Sequence, residues 1–307
     1  MKTLSLLILL ATLSAPSQAQ TIDDGFMMGK HDLFTGNLYS YENWDQYWEG
    51  ALKRVNGNIG TITTQSSVWF ANYGATDRLN VIATVPYVWT HASQGVLQGM
   101  SGLQDIALAG KYNVLERPST RVGSLRAMGV VAVGIPLTGY SPDLQPLSIG
   151  LASRRVAARF TLNLQSNRGW FANGSAGYTW RGNVTLDRPY YYTDGQLFLT
   201  DEVTMPNVFD YIASAGYVKR GLMTNVSFFQ QKTLGGGDIR RQDIPFVSNR
   251  INVSRVGAIV MYPVPKLRNL AFHLAYGYTI DGRNVGQATT VTTGFSYRYR
   301  VYGRSTR

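Results

Sequence analysis

Val156-Ala157-Ala158-Arg159-Phe160-Thr161-Leu162-Asn163-Leu164-Gln165 decides the fold. Val156, Ala158, Phe160, Leu162 and Leu164 fall on one face of an extended chain, and Ala157, Arg159, Thr161, Asn163 and Gln165 on the other, because successive side chains of a strand point to opposite sides. The alternation returns in Leu270 to Ile280, where Leu270, Phe272, Leu274, Tyr276, Tyr278 and Ile280 oppose Ala271, His273, Ala275, Gly277 and Thr279. It returns again where Val291, Thr293, Phe295, Tyr297, Tyr299 and Val301 oppose Thr292, Gly294, Ser296, Arg298 and Arg300. Soluble sandwiches and lipocalin-like barrels also alternate, but their solvent faces are rich in Lys and Glu. Here the polar faces hold Gly, Ser, Thr, Asn and sparse Arg. A cation facing lipid at mid-membrane costs about 2–4 kcal/mol, so the polar faces must look into a lumen and the apolar faces toward lipid.

Followed outward from this stretch, the pattern marks twelve strands. They run near Leu33–Tyr41, Asn58–Tyr73, Asp77–His91, Leu103–Leu115, Arg121–Pro136 and Ile149–Ser166. The second half adds Gly169–Asp187, Asn207–Lys219, Leu222–Thr233, Asn249–Pro263, Leu270–Asp281 and Gln287–Tyr302. Lengths of about 13 to 18 residues exceed the usual five or six of soluble strands and suit tilted strands that protrude past a bilayer. The fold class is therefore all-β, a transmembrane antiparallel β-barrel of about twelve strands. Turns at Gly74-Ala75-Thr76, Glu116–Thr120, Asn167-Arg168, Arg220-Gly221 and Val264–Asn269 are short. They alternate with longer segments at Glu42–Gly57, Ala92–Gly102, Leu137–Ser148, Arg188–Pro206 and Leu234–Ser248. With both termini periplasmic, the short turns are periplasmic and the long loops extracellular. Trp69-Phe70 and Trp170-Phe171 then fall at the periplasmic girdle, and Tyr87 with Trp89 and Tyr178 with Trp180 at the outer one.

The ends and composition agree. Met1 to Ala19 carry Lys2, an apolar run from Leu4 to Leu13 and the small-x-small site Ser17-Gln18-Ala19, the pattern of a secretory signal peptide. Domains are expected as a signal peptide over 1–19, an N-terminal periplasmic segment or plug over 20–32, and the outer-membrane barrel over 33–307. Asp23-Asp24-Gly25 and Met27-Met28 are compatible with either role for the second of these. Hydrophobic residues make up 44% of the 307 and mean hydropathy is −0.11, as expected where half of each strand is polar. No Cys is present, which excludes disulfides, thiolate metal sites and cysteine nucleophiles. The net charge of +11 would raise nucleic-acid binding in a soluble protein. Beside an export signal it points instead to anionic head groups or anionic solutes.

Chemistry-bearing clusters are sparse. His31, His91 and His273 are the only histidines, and no Ser or acid pairs with them by spacing, so no catalytic residue is assigned and no enzyme is expected. Gly235-Gly236-Gly237-Asp238 lacks the Lys-Ser/Thr of a phosphate loop and reads as a loop tip. Asp187 to Asp201, with Tyr190-Tyr191-Tyr192, fits no calcium-loop spacing and reads as a solvated loop. No metal and no cofactor are expected. Alternation turns Asp105, Lys111, Arg126, Arg159, Arg181, His273 and Arg298 toward the lumen. They either favour anionic solutes by charged-ring logic or pair with acids and fill the lumen. Tyr41, Trp44, Tyr47 and Trp48, interleaved with Glu42, Asp45 and Glu49, are candidates for the extracellular mouth or a cover for the barrel rim.

Tyr73-Gly74-Ala75-Thr76-Asp77-Arg78-Leu79, running on to Val85-Pro86-Tyr87, and Ser101-Gly102-Leu103-Gln104-Asp105 with Lys111-Tyr112 are similar to two signatures of one barrel family. That family is the outer-membrane "transporter" group named for the meta-pathway of phenol degradation. The resemblance is clear over Tyr73 to Tyr112, with Gln104 standing where the family has Gly. In physical terms Gly74 permits a tight turn, Asp77 bonds the turn backbone and Asp105 marks the strand leaving an extracellular loop. The resemblance implies passage of small, often aromatic or hydrophobic compounds across the outer membrane. The expected function is a passive channel or transporter whose partners are a small-molecule solute, outer-membrane lipid and lipopolysaccharide, with no nucleic acid. The alternative is a non-transporting barrel whose aromatic extracellular loops bind a surface ligand or partner.

Overall fold

The alternating stretches build one sheet that closes on itself. The computed structural model describes residues 21–119, 123–240, 245–267 and 269–301. The expected leader and the expected strand ends at Arg121 and Tyr302 lie outside the described residues. Twelve antiparallel strands form the wall: β1 (Asp32–Trp44), β2 (Ile62–Gly74), β3 (Leu79–Ala92), β4 (Asp105–Ser119), β5 (Gly123–Pro136) and β6 (Arg155–Gln165). They continue as β7 (Trp170–Arg181), β8 (Val208–Lys219), β9 (Leu222–Thr233), β10 (Asn252–Pro263), β11 (Leu270–Arg283) and β12 (Thr289–Arg300). Each strand pairs with its sequence neighbours, and β12 closes onto β1 from Asp32↔Arg300 to Asn43↔Thr289, so the wall has no open edge.

Exposure fixes which face is which. Leu164 is 57% exposed while its neighbour Asn163 is fully buried, and Phe272 is 54% exposed while Ala271 is fully buried. Apolar rows therefore face out and the polar rows in. The paired aromatics split by the same rule. Trp69 and Trp170 face out, whereas Phe171 is buried inside and Phe70 packs on the same inner cluster. Adjacent strand residues cannot share a face, so only the tryptophans of these two pairs belong to the girdle.

Strand ends differ from the sequence expectation at several points; β1 runs on to Trp44, β2 starts at Ile62 rather than near Asn58 and β10 at Asn252 rather than Asn249. β4 runs on through Glu116 to Ser119, taking up most of the expected turn, with a bulge between Asn113 and Leu115. β6 starts at Arg155 rather than near Ile149, because residues 149–154 are drawn into a loop held by Tyr140 and Gln104. β7 ends at Arg181, after which Val184–Thr185 pair with Glu202–Val203 in the fourth extracellular loop. In the β2–β3 turn the Thr76 hydroxyl, rather than Asp77, accepts the N–H groups of Arg78 (3.1 Å) and Leu79 (2.9 Å). Gly74 lies outside the left-handed region; a Cβ there would sit 2.1 Å from the Gly29 carbonyl, so its task is close approach of the N-terminal segment. Gln104 likewise needs no left-handed backbone: its N–H reaches the Pro86 carbonyl at 3.0 Å and its amide the Ile149 carbonyl at 2.5 Å.

Extracellular loops pack into lobes rather than flaring open. Tyr191 stacks between Phe198 and Phe246 at 5.0 and 5.1 Å, over Val184, Leu186, Val203, Met205 and Val247. The middle member of the tyrosine triplet is thus a core residue of the lobe, while Tyr190 and Tyr192 are exposed.

Candidate functional site: the barrel lumen

Strand register sets the site's geometry. Asn80, Lys111, Val130, Arg159, Gly177 and Asp210 are successive partners across β3 to β8, so they form one continuous row on the inner wall. Arg159 fits because Gly177 opposes it; a Cβ at Gly177 would come within 2.9 Å of its guanidinium. Asp210 of the wall pairs with Arg159, which also donates to Ser175 at 3.1 Å.

Residues 21–30 run along this inner face. The fully buried Lys111 ammonium donates to the Thr21 carbonyl (2.9 Å) and to Asp24 (2.8 Å), and Arg159 faces Asp23 at 3.0 Å. Ile22 packs on Ile82, Ala109 and Val130. Gly25 lies against β6 and β7 so closely that a Cβ would fall 2.2 Å from Asn163 and 2.4 Å from Asn173. Asn80, its amide oriented to suit its neighbours, accepts the Met28 N–H at 2.7 Å. Toward the periplasmic end Phe26 and Met28 join Phe34, Phe171, Val218, Met223, Met261 and Ala271 in an apolar floor, with Phe26 edge-on to Phe171 at 5.0 Å. Burying one such ring contributes about 2–3 kcal/mol.

Above the segment, Asp105 is the hinge of the extracellular side. It accepts from the Tyr140 hydroxyl (2.6 Å) and from Arg155 (2.7 Å), while the Tyr140 oxygen accepts the Ala152 N–H at 2.9 Å. Burial, and then the Asp105 carboxylate, push the Tyr140 phenol above its ordinary value, so it keeps its proton and goes on donating. Between this knot and the segment lies a cavity of about 170 Å³ lined by Ile22, Ala107, Val130, Arg155, Arg159 and Asp210, among others.

The remaining sequence candidates are distributed as follows. Arg126 pairs with Glu116 at 2.9 Å near the periplasmic end. Arg298 pairs with Asp32 at the base of β1. His273 is buried, with Nε2 2.7 Å from the Ser296 hydroxyl and its ring beside Phe34. Arg181 stands opposite Arg155 in register and has no ion pair among the described residues. Most of these lumen cations are thus matched by acids among the described residues.

At the rim, Tyr41 lies on the exposed outer row of β1, Trp44 packs on Gly286, and Tyr47 bridges to Gly286. Trp48 is buried against Gly282, beneath Lys53. Trp44, Tyr47 and Trp48 dock the hairpin of Gln46–Glu49 and Leu52–Val55 on the β11–β12 connection. Among the described residues no three His, Cys, Asp or Glu side chains converge for a metal.

Sequence reasoning passed over Asp210, Arg155 and Tyr140. The first two had a readable signal, since Arg155 shares parity with Arg159, and Asp210 alternates with Phe209 and Tyr211. Tyr140 had none, being a loop residue whose role depends on tertiary placement.

The fold has solved counterparts. An outer membrane channel from Pseudomonas putida F1 is 10% identical with a TM-score of 0.71, the match covering 92% of this chain and all of that one. The NanC porin is 8% identical with a TM-score of 0.47, covering 85% of this chain and 98% of that one. A comparison with curated protein sequences finds no match. Residues 57–299 match the family described as "Putative MetA-pathway of phenol degradation", and the chain belongs to that family.

Proposed function

We propose that the protein is an outer-membrane channel for passive passage of small molecules, aromatic or hydrophobic compounds among them, whose lumen is plugged at rest by its own N-terminal segment. The leader over Met1 to Ala19 would carry it across the inner membrane, and outer-membrane lipid and lipopolysaccharide would surround the apolar wall. One observation carries the reading: a short N-terminal stretch, Thr21 to Met28, lies against the inner wall and is held there by side chains of several strands. Two acids, one aromatic wedge and a few backbone bonds hold it. A barrel of twelve strands is wider than the eight whose side chains alone fill the interior. Removal of such a segment opens a path, and the apolar floor at Phe34, Phe171 and Met261 suits solutes with a hydrophobic part.

The test is uptake by proteoliposomes loaded with the mature protein, using a graded series of small neutral and aromatic solutes. Uptake above that of protein-free vesicles, falling with solute size, supports a channel. Uptake equal to protein-free vesicles from a folded, inserted barrel, with or without the segment, would refute it.

A further inference from the structure

We propose that the lumen binds small aromatic carboxylates, and that Ile22 to Phe26 occupy that site as a tethered stand-in for such a ligand. The assignment rests on the channel reading above and names its class of solute.

Two wall cations are satisfied by the segment. Lys111 is fully buried, and its partners among the described residues are the Thr21 carbonyl and the Asp24 carboxylate, both from the segment. Arg159 stands two strands away in the same register row, about 10 Å at Cα from the spacing of neighbouring strands. Asp210 holds one side of it and Asp23 the other. Withdrawal of the segment leaves Lys111 without an acid and Arg159 with one. Lys111 owes part of its burial to the segment, so on withdrawal its ammonium faces the opened lumen with no acid beside it, and an incoming anion gains a charge-assisted contact there. The group that now fills that role is a carboxylate, twice over.

The neighbours of those carboxylates supply the rest of the ligand's character. Ile22 on one side rests on Ile82, Ala109 and Val130, and Phe26 on the other meets Phe171 edge-on at 5.0 Å. A ring bearing carboxylate groups reproduces both parts, charge at Lys111 and Arg159 and apolar surface beside them. The fit at Gly25, where no Cβ can be accommodated, marks the seat as shaped rather than loosely filled. The 170 Å³ cavity touching Ile22 and Arg159 gives an entering molecule room beside the segment before displacement is complete. Ligand and segment therefore compete, and solute entry is coupled to release of the plug. Neutral hydrocarbons give Lys111 no counter-charge and displace the segment poorly.

The test is isothermal titration calorimetry of phthalate, and of its neutral diester dimethyl phthalate, into the full mature chain in detergent. The proteins are the wild type and the double variant Asp23→Asn with Asp24→Asn. If the segment fills the seat about nine-tenths of the time, removing its charges tightens phthalate roughly tenfold, with the diester unchanged. Adding Lys111→Met to the double variant should abolish the gain, with heat-modifiable gel migration showing that the barrel is folded. Equal phthalate affinity in wild type and double variant, or an equal gain for the diester, would overturn the assignment. The two readings fail separately: a barrel that passes solutes without this phthalate response sinks only the ligand class. One that binds phthalate competitively yet passes no solute sinks only the channel.

Discussion

Gly25 shows how one missing side chain can decide the state of a lumen. Any Cβ there collides with Asn163 and Asn173 of the wall, both themselves buried. Gly25→Leu should therefore expel residues 21–30, and hydrogen exchange of that stretch should rise to the rate of an unstructured peptide while the strands stay protected. Retained protection would show that the seat can shift to accept the side chain. Asp24→Asn acts on the other half of the latch, weakening the charge facing the fully buried Lys111. Breaking a buried pair from one side costs about 3–5 kcal/mol, enough to shift the segment mostly out, and protease nicking within 21–30 should accelerate accordingly. Tyr140→Phe leaves Asp105 one donor short and the Ala152 N–H unmatched, an expected loss of about 1–3 kcal/mol. That loss should appear as faster exchange in residues 149–154 with the barrel's unfolding transition little changed; uniform destabilisation would contradict the local role assigned to it.

Among the elements, the extracellular connections differ from the wall in what was readable. Periodicity two identifies a strand wherever one face meets lipid, so β8 to β12 emerge close to their observed bounds. It fails where a strand leaves the bilayer, because both faces are then wet or packed on other loops. Glu116 and Arg117 continue β4 although they look like a turn, and Ile149 to Arg154 leave β6 although they look like strand. The long loops obey tertiary contacts that no local pattern encodes. The fifth one is pinned by Asp238, which accepts from Arg283 (2.7 Å at Nε) and from Asn284 (2.7 Å). Hydrogen bonding from Arg283 holds the Asp238 carboxyl below its ordinary value. A depressed carboxyl contributes stability that is present above its unfolded value and lost only as pH falls through the lower folded one. The loop should accordingly stay docked through mild acid and loosen only below the ordinary carboxylate range. Asp238→Asn should raise protease sensitivity of residues 234–240 at every pH; a wild-type loop already released near pH 5 would contradict this assignment.

At the scale of the whole molecule, two layers fill the lumen: an apolar floor toward the periplasm and a charged tier above it, with the N-terminal segment contributing to both. Alternation alone turned Lys111, Arg159 and Arg298 inward on sequence grounds, but their partners Asp24, Asp23 and Asp32 precede or begin the first strand. Local pattern does not show whether the segment after the expected leader folds back into the cylinder, so Asp23-Asp24-Gly25 read equally as a tail or a plug. The inner phenylalanines were hidden for a related reason, since an inward Phe beside an outward Trp looks like a single girdle motif. The account's central claim is that this segment, not the wall, limits passage. Planar-bilayer conductance of the full mature chain against one lacking residues 21–29 tests it most directly. Small, intermittent currents in the first and large, steady ones in the second are the predicted result. Equal conductance in the two, with both barrels folded, would contradict it.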